Sequence, residues 1–333
     1  MNRIYLMNTY NFIEVCAGAG GLSSGLIKSG FNPLLLIDND KNCCQTLKIN
    51  HEKVNIKNEC FTKIDYTEFI NKIDVLCGGI PCQSFSYAGK RKGLDDNRGK
   101  LIFNFIELIN KIKPKIFLIE NVKGLKTHDN GKTFEEIIKK IDNSIYNIKY
   151  EILNSYNFGV PQKRERLIII GTLKNINFEF PQKYNNFINL KDVLINVPKS
   201  DGVEYNELKK ELFKKIPQGG CWKNLTEIEQ KEYLGKSYYS GGGKTGILHR
   251  LDMNKPSLTL LCSPSQKQTE RCHPLEERPL NIREYARIQT FDDTYIFHGS
   301  KYSQYKQIGN SVPVNLAYEI GKNLIKSLDD YLK

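Results

Sequence analysis

No two of the nine cysteines form a Cys-x-x-Cys pair, and their number is odd. Cys16, Cys43, Cys44, Cys60, Cys77, Cys82, Cys221, Cys262 and Cys272 therefore predict neither a disulfide framework nor a zinc ribbon, and fit thiols kept reduced in a cytosol. Cys272 and His273 are the one Cys-His neighbour pair. With no second pair at ligand spacing, no metal site is expected. No uninterrupted apolar stretch reaches the roughly 18 residues of a membrane-spanning helix, and Met1 to Tyr10 lack the apolar centre of a secretory signal. The expectation is a soluble protein of the bacterial cytosol without a membrane partner. Internal repeats are absent too, so a solenoid is not indicated.

Acidic residues are in deficit. Asp and Glu number 37 against 49 Lys and Arg, a formal charge of +12. Such a balance favours a polyanionic partner, because each cation set against a phosphate releases counterions. The 333 residues, 40% hydrophobic and 26% charged, are ordinary for a folded chain and long enough for one large core plus a smaller lobe.

Short runs rich in Ile, Leu and Val are bounded by turn residues at Phe12 to Cys16, Pro33 to Asp38, Asp74 to Cys77, Lys115 to Glu120 and Arg166 to Gly171. Near-continuous apolar runs of this length read as buried parallel strands covered on both faces. Between them, Leu101, Phe105, Leu108, Ile109 and Ile112 recur at helical spacing before Pro114, and Thr133 to Ile141 repeats the pattern. The alternation predicts a doubly wound, mostly parallel α/β domain. From about Phe180 to His273 the pattern loosens into polar sequence with Ser240-Gly241-Gly242-Gly243-Lys244, which predicts a smaller, irregular domain. Helical patterning returns at Asn281 to Gln289 and Val314 to Leu328.

The chemistry-bearing residues sit at the ends of these runs. The first runs into Gly18-Ala19-Gly20-Gly21 and Leu22, glycines that let a backbone turn tightly and approach a cofactor. The second ends at Asp38, where a carboxylate accepts the ribose hydroxyls of an adenosine. Cys82 follows Gly78-Gly79-Ile80-Pro81. A free cysteine is more often an inert core residue, but Pro81 restrains the backbone before this one, and a polar, glycine-containing stretch to Arg98 is suited to closing over a ligand. Glu120 closes Ile116-Phe117-Leu118-Ile119, and partial desolvation there would help it carry a proton near neutrality. Arg164 and Arg166 offer planar donor forks to orient Glu120 and a ring carbonyl. A thiol, a carboxylate and two guanidiniums are the parts needed to add a nucleophile to an electron-poor ring such as cytosine and hold it.

These residues resemble the DNA (cytosine-5) methyltransferases of the bacterial type. Six motifs stand in that family's order: Cys16 to Gly21, Pro81-Cys82-Gln83, Glu120-Asn121-Val122, Gln162 to Arg166, Arg283-Glu284-Tyr285-Ala286-Arg287-Ile288-Gln289 and Gly309-Asn310-Ser311-Val312-Pro313. The resemblance implies a Rossmann-like, S-adenosylmethionine-dependent fold, with residues 1–180 and 303–333 forming the catalytic and cofactor-binding domain. Residues 181–302 would form the target-recognition domain and hinge. It implies that Cys82 attacks C6 of a cytosine flipped from duplex DNA, that Glu120 serves N3 and the exocyclic amine, that Arg166 holds O2 and Glu120, and that Arg164 lies near the phosphates or the nucleophile. For S-adenosylmethionine it implies Gly18, Gly20, Gly21, Leu22, Asp38, Glu59, Pro81, Leu101, Asn310 and Ser311. For DNA phosphates it implies Ser86, Lys90 and Arg98, with Lys244 and Thr259-Leu260 in the major groove. The expected protein is a monomer, serving beside a separate restriction endonuclease or as an orphan or phage enzyme. Two positions depart from the pattern. Cys16 stands where the family often has Phe, and Glu59 is the nearest match to the acid that meets the adenine amine.

Three other readings fit parts of the sequence. The same chemistry on tRNA is echoed by Cys60-Phe61-Thr62, which sits before the nucleophile motif instead of in the recognition region. A nicotinamide-dependent oxidoreductase would want a third glycine at Ser23. A DNA-binding regulator on this fold would not need every catalytic position filled.

Overall fold

Apolar runs without polar alternation need cover on both faces, and the computed structural model of this chain gives them that cover. It describes residues 9–81, 100–241 and 246–333. The strands are β1 (Asn11–Val15), β2 (Asn32–Asp38), β3 (Asn55–Asn58), β4 (Val75–Gly79), β5 (Ile116–Val122), β6 (Tyr146–Asn154), β7 (Gln162–Lys163), β8 (Glu165–Leu173) and β9 (Ser257–Leu258). Seven of them form one sheet in the order β3-β2-β1-β4-β5-β8-β6. The pairs among β1 to β5 are parallel. β8 lies antiparallel to both β5 and β6, so the run beginning at Arg166 is a buried strand but not a parallel one.

The chain divides into two compact units, one of residues 1–158, 165–184 and 311–333, the other of 159–164 and 185–310. The cut expected at 302/303 would fall inside the helix Lys301–Asn310, and Gln162 to Arg164 belong with the second unit rather than with the sheet.

In the first unit, the helices α1 (Gly21–Ser29), α2 (Lys41–Asn50), α3 (Lys100–Ile112) and α4 (Lys132–Lys140) are joined by the helix Val314–Tyr331. Side chains alternate across the strands. Ile13, Val15, Phe117, Ile119, Leu167 and Ile169 share one core with Phe105 and Ile109 of α3. Phe12, Ile116, Leu118, Ile168 and Ile170 share the other with Leu22 and Leu26 of α1 and with Leu316 and Ile320. The same alternation sends Glu14, Glu120 and Arg166 toward the face that carries α1.

The second unit has little ladder: β7 and β9 pair over two residues each, in parallel. Its core gathers Tyr205, Phe213, Trp222, Leu225, Leu234, Ile247 and Leu248. Side chains serve the backbone groups that a ladder would otherwise pair. Arg250 donates to the carbonyls of Pro274 and Phe213, and Arg287 to those of Val193, Ile195 and Asn196. His273 spends Nδ1 on the amides of Leu275 and Glu276, which makes the Cys-His pair a loop fastening. Among the described residues, no helix is long and apolar enough to cross a membrane.

Gly25 sits where α1 meets the helix Val314–Tyr331; a Cβ there would lie 2.3 Å from Ala317 Cβ and 2.6 Å from the Val314 carbonyl. Alanine gains about 1 kcal/mol of helix propensity over glycine, but backbone cannot yield as a flexible side chain does. Gly25→Ala is therefore expected to lower stability by about 1–3 kcal/mol through overpacking. Urea unfolding measures this, and an unchanged or higher midpoint would contradict the packing argument.

Candidate active site at the carboxyl end of the sheet

Parallel strands deliver their last residues to one edge, and an antiparallel neighbour delivers its first residues to that same edge. Gly79 is paired with Glu120, and Val122 with Arg166. Two residues along from that second pair, on one face, Arg166 reaches Glu120: Nε stands 2.8 Å from Oε1, with side-chain exposures of 14% and 10%. Burial pulls the Arg166 guanidinium below its ordinary value, while the Glu120 charge and hydrogen bond pull it back. An arginine remains charged under such a shift. The other oxygen, Oε2, lies 3.2 Å from where a side chain on residue 79 would begin, so glycine at 79 leaves the carboxylate its room. Asn121 ties the next strand end in place, its Nδ2 donating to the Ile80 carbonyl at 3.1 Å.

The glycine loop is built from positive φ angles: Cys16 at 53°, Gly18 at 56° and Gly20 at 81°. L side chains seldom adopt this region, and Cys16 ends β1 by adopting it. Asp38, the expected ribose acceptor, also shapes the loop. Its Oδ2 accepts from Gly18 N and its Oδ1 from Asp40 N, each at 2.8 Å. Glu59 lies beside it, its amide donating to the Asp38 carbonyl at 3.0 Å, with its side chain exposed. Leu22 is buried in the core at 2% exposure, so its main chain is what remains to face a ligand. A Cβ on Gly21 would meet the Val312 carbonyl at 2.2 Å and Ser311 Cβ at 2.9 Å, which brings Ser311 against the start of α1. Pro81 and Leu101 are half-buried.

Two of the expected residues, Arg164 and Asn310, belong to the second unit. Arg164 is 1% exposed, with its guanidinium donating to the carbonyls of Leu260 at 3.1 Å and Gly309 at 2.9 Å. Asn310 is exposed and accepts from Cys262 Sγ at 3.0 Å. Cys82, Ser86, Lys90, Arg98 and Lys244 lie outside the described residues.

One residue escaped the sequence reading although its signal was there: Glu14, a lone acid in the apolar run of β1. It is 2% exposed, and among the described residues its Oε2 has no hydrogen-bond partner. Ser24 Oγ, in the first turn of α1, is likewise buried without one among the described residues. Burial, opposed by hydrogen bonds from Ser23 and reinforced by the charges of Asp38 and Glu120, pushes the Glu14 carboxyl up to about 8.

A family model of C-5 cytosine-specific DNA methylases matches residues 10–326. The chain belongs to that family. Among its relatives, the Type II methyltransferase M.Eco47II of Escherichia coli is 47% identical over 97% of this chain and 80% of its own length. M.Sau96I of Staphylococcus aureus is 49% identical over 97% of this chain and 77% of its own. Among solved structures, a DNA modification methyltransferase encoded within an E. coli prophage superposes with a TM-score of 0.73 at 25% identity, covering 96% of this chain and all of that one. The Entamoeba histolytica methyltransferase EhMeth shares the fold, with a TM-score of 0.68 at 18% identity over 96% of this chain and 99% of its own. This methylase is thus a DNA (cytosine-5) methyltransferase on a mostly parallel, Rossmann-like sheet.

Glu14 yields a pH test. Its carboxyl is raised from 4.5 to about 8 in the folded protein, so its contribution to stability is complete below the unfolded value and is lost as pH rises through the folded one. Urea unfolding of the wild type should therefore show stability falling between about pH 5 and pH 8, by at most about 1.4 kcal/mol per unit from this group. Glu14→Gln should flatten that slope; identical slopes in the two proteins would refute the assignment.

Proposed function

We propose that this enzyme transfers a methyl group from S-adenosylmethionine to C5 of a cytosine turned out of duplex DNA, within a specific sequence, through a transient bond between Cys82 and C6. The observation that carries the reading is the Arg166–Glu120 pair at 2.8 Å beside Gly79, one strand end away from Pro81 and hence from Cys82 in the sequence. A carboxylate fixed at one oxygen by a guanidinium keeps the other for a ring nitrogen, and the same guanidinium has further donors for a ring carbonyl.

The site fits the methyl donor. A loop with two glycines at positive φ admits close approach of a ligand, and Asp38 and Glu59 offer acceptors at the adjoining strand ends. Glu14 Oε2, in the strand that leads into the loop, and Ser24 Oγ, in the helix turn that follows it, are buried polar atoms without a partner among the described residues. Gly18, Gly20, Gly21, the Leu22 main chain, Asp38, Glu59, Pro81, Leu101, Asn310 and Ser311 are the residues that would hold S-adenosylmethionine, which supplies an electrophilic methyl when bound. The chain's own work is on the cytosine. C5 is a poor nucleophile until Cys82 adds to C6 and Glu120 supplies a proton or hydrogen bond at N3, which turns the ring into an enamine. Arg166 holds O2 and Glu120 while this happens. After methylation, loss of the C5 proton and expulsion of the Cys82 thiolate restore the aromatic ring.

Turning the base out costs a few kcal/mol of stacking and pairing. Ser86, Lys90 and Arg98 would recover part of it on phosphates, and the second unit, with Lys244 and Thr259-Leu260, would read the sequence. The formal charge of +12 supports such a substrate. The naming of its relatives as Type II methyltransferases supports a role as the modification half of a restriction-modification system; in this reading the enzyme acts as a monomer beside a separate endonuclease.

Labelled methyl transfer to duplex DNA, with bisulfite sequencing of DNA from expressing cells, tests the activity. Cys82→Ser should abolish transfer while leaving donor binding intact, and Glu120→Gln should slow it by about 10²–10⁴-fold, the usual weight of a positioned proton donor. Near-normal rates in either variant would contradict the roles given, and label entering tRNA but not duplex DNA would overturn the substrate.

A further inference from the structure

The parallel ladder between β7 and β9 ends at Lys163 opposite Leu258. Beyond it, among the described residues, Thr259 and Leu260 pair with no strand, and side chains take over. Gln162 Oε1 accepts from Leu260 N at 2.9 Å, and Arg164 Nη1 donates to the Leu260 carbonyl at 3.1 Å. Thr259 Oγ1 donates to the Lys163 carbonyl at 2.8 Å, and Arg271 Nη2 to the Thr259 carbonyl at 3.3 Å. The peptide at Leu260 is thus held on both sides from the motif that begins at Gln162.

The amide of Gln162 has one orientation available. Because its oxygen takes the Leu260 N–H, its Nε2 must donate, and it does so to Gln289 Oε1 at 2.8 Å. Gln289 then donates its own Nε2 to the Ile308 carbonyl at 2.8 Å. Gln162 and Gln289 are both fully buried. Arg164 adds a second tie to the same turn through the Gly309 carbonyl, and Gly309 itself packs so tightly on Leu261 that a Cβ would stand 2.3 Å from that carbonyl. Further along the chain Gln266, Lys267 and Gln268 are exposed, Lys267 donating to the Tyr233 carbonyl at 3.2 Å, and the two glutamine amides match the hydrogen-bonding patterns of base edges.

We propose that Gln162 and Gln289 are positioning residues for sequence discrimination: their buried amide relay fixes the Thr259–Leu260 main chain as the rigid base from which the second unit reads DNA. The proposal rests on the reading of that unit as the recognition unit. A relay of two buried amides suits the task because each lost bond leaves a buried partner unsatisfied, so the segment has one favourable placement and no cheap alternative. A loosened segment would still permit chemistry on any cytosine that reaches the site. What it would lose is the penalty against wrong neighbours.

The test uses Gln162→Met, Gln289→Met and the double variant in the full-length enzyme, with kcat and KM measured on the preferred duplex and on duplexes with one base pair changed. Methionine keeps the volume and removes the hydrogen bonds. In each single variant the ratio of kcat/KM between preferred and altered sites should fall about tenfold, the scale of one misread base pair. The double variant should be no worse than the poorer single one, since the two amides act as a unit. S-adenosylmethionine affinity and kcat at saturating preferred DNA should stay within about twofold, because neither group touches the reacting atoms. An unchanged ratio in active variants would overturn the proposal, as would a uniform loss in all parameters that tracks the folded fraction. Should the variants fail to fold, hydrogen exchange in the wild type decides. The Leu260 amide should be protected like one within a sheet, and exchange at the rate of an open loop would overturn the assignment. A wild type inactive on DNA would instead refute the proposed function itself.

Discussion

One ion pair sets the terms for the sheet edge. Arg166 and Glu120 meet at 2.8 Å only because β8 runs antiparallel to β5, which delivers the first residues of one strand to the last of the other. As a stabilising device the pair is poor: taking two charges out of water costs several kcal/mol per ion, and apolar residues of similar size would serve a core as well or better. Its value lies in placement. The guanidinium pins one oxygen of the carboxylate, and the absent side chain at Gly79 leaves the other its space. The arrangement fits a group that must meet a flat heterocycle at a fixed angle.

The cofactor side follows a related rule, with the backbone positioned by acids. Asp38 holds the amides of Gly18 and Asp40, and Glu14 lies buried in the strand that leads into the loop, with one oxygen unpartnered among the described residues. The Asp38 carboxylate beside a loop of backbone amides suits a ligand that brings hydroxyls. The second unit reverses the pattern: buried Arg164 and Arg250 and half-buried Arg287 donate to carbonyls and do the work of missing strands.

Much of this could be read in the sequence because burial leaves a plain signature. Each of the five apolar runs is a strand of the sheet, and the helix expected before Pro114 spans Lys100–Ile112. The two strands of the large sheet that escaped notice, Asn55–Asn58 and Tyr146–Asn154, lie at its edges, where much of each is solvated and the apolar run is broken. The direction of β8 was not legible, because a strand buried on both faces looks alike in either sense. Nor was the division of the motif Gln162 to Arg166 between two units. Its Arg166 faces Glu120 while its Arg164 binds main-chain carbonyls, a difference that depends on contacts 96 and 145 residues away in sequence, at Leu260 and Gly309. Glu14 was visible as a lone acid in an apolar strand, and only its surroundings give it meaning.

If the ion pair exists to prepare cytosine for attack at C6, the bond that results should be trappable. Fluorine at C5 cannot leave as a proton does, so duplex DNA with 5-fluorocytosine at the preferred site, given S-adenosylmethionine, should arrest the enzyme after methylation. The account predicts a denaturation-resistant complex whose cross-linked peptide, by mass spectrometry, carries the pyrimidine on Cys82. A link to any other residue, or no covalent complex from an enzyme that methylates ordinary DNA, would contradict it.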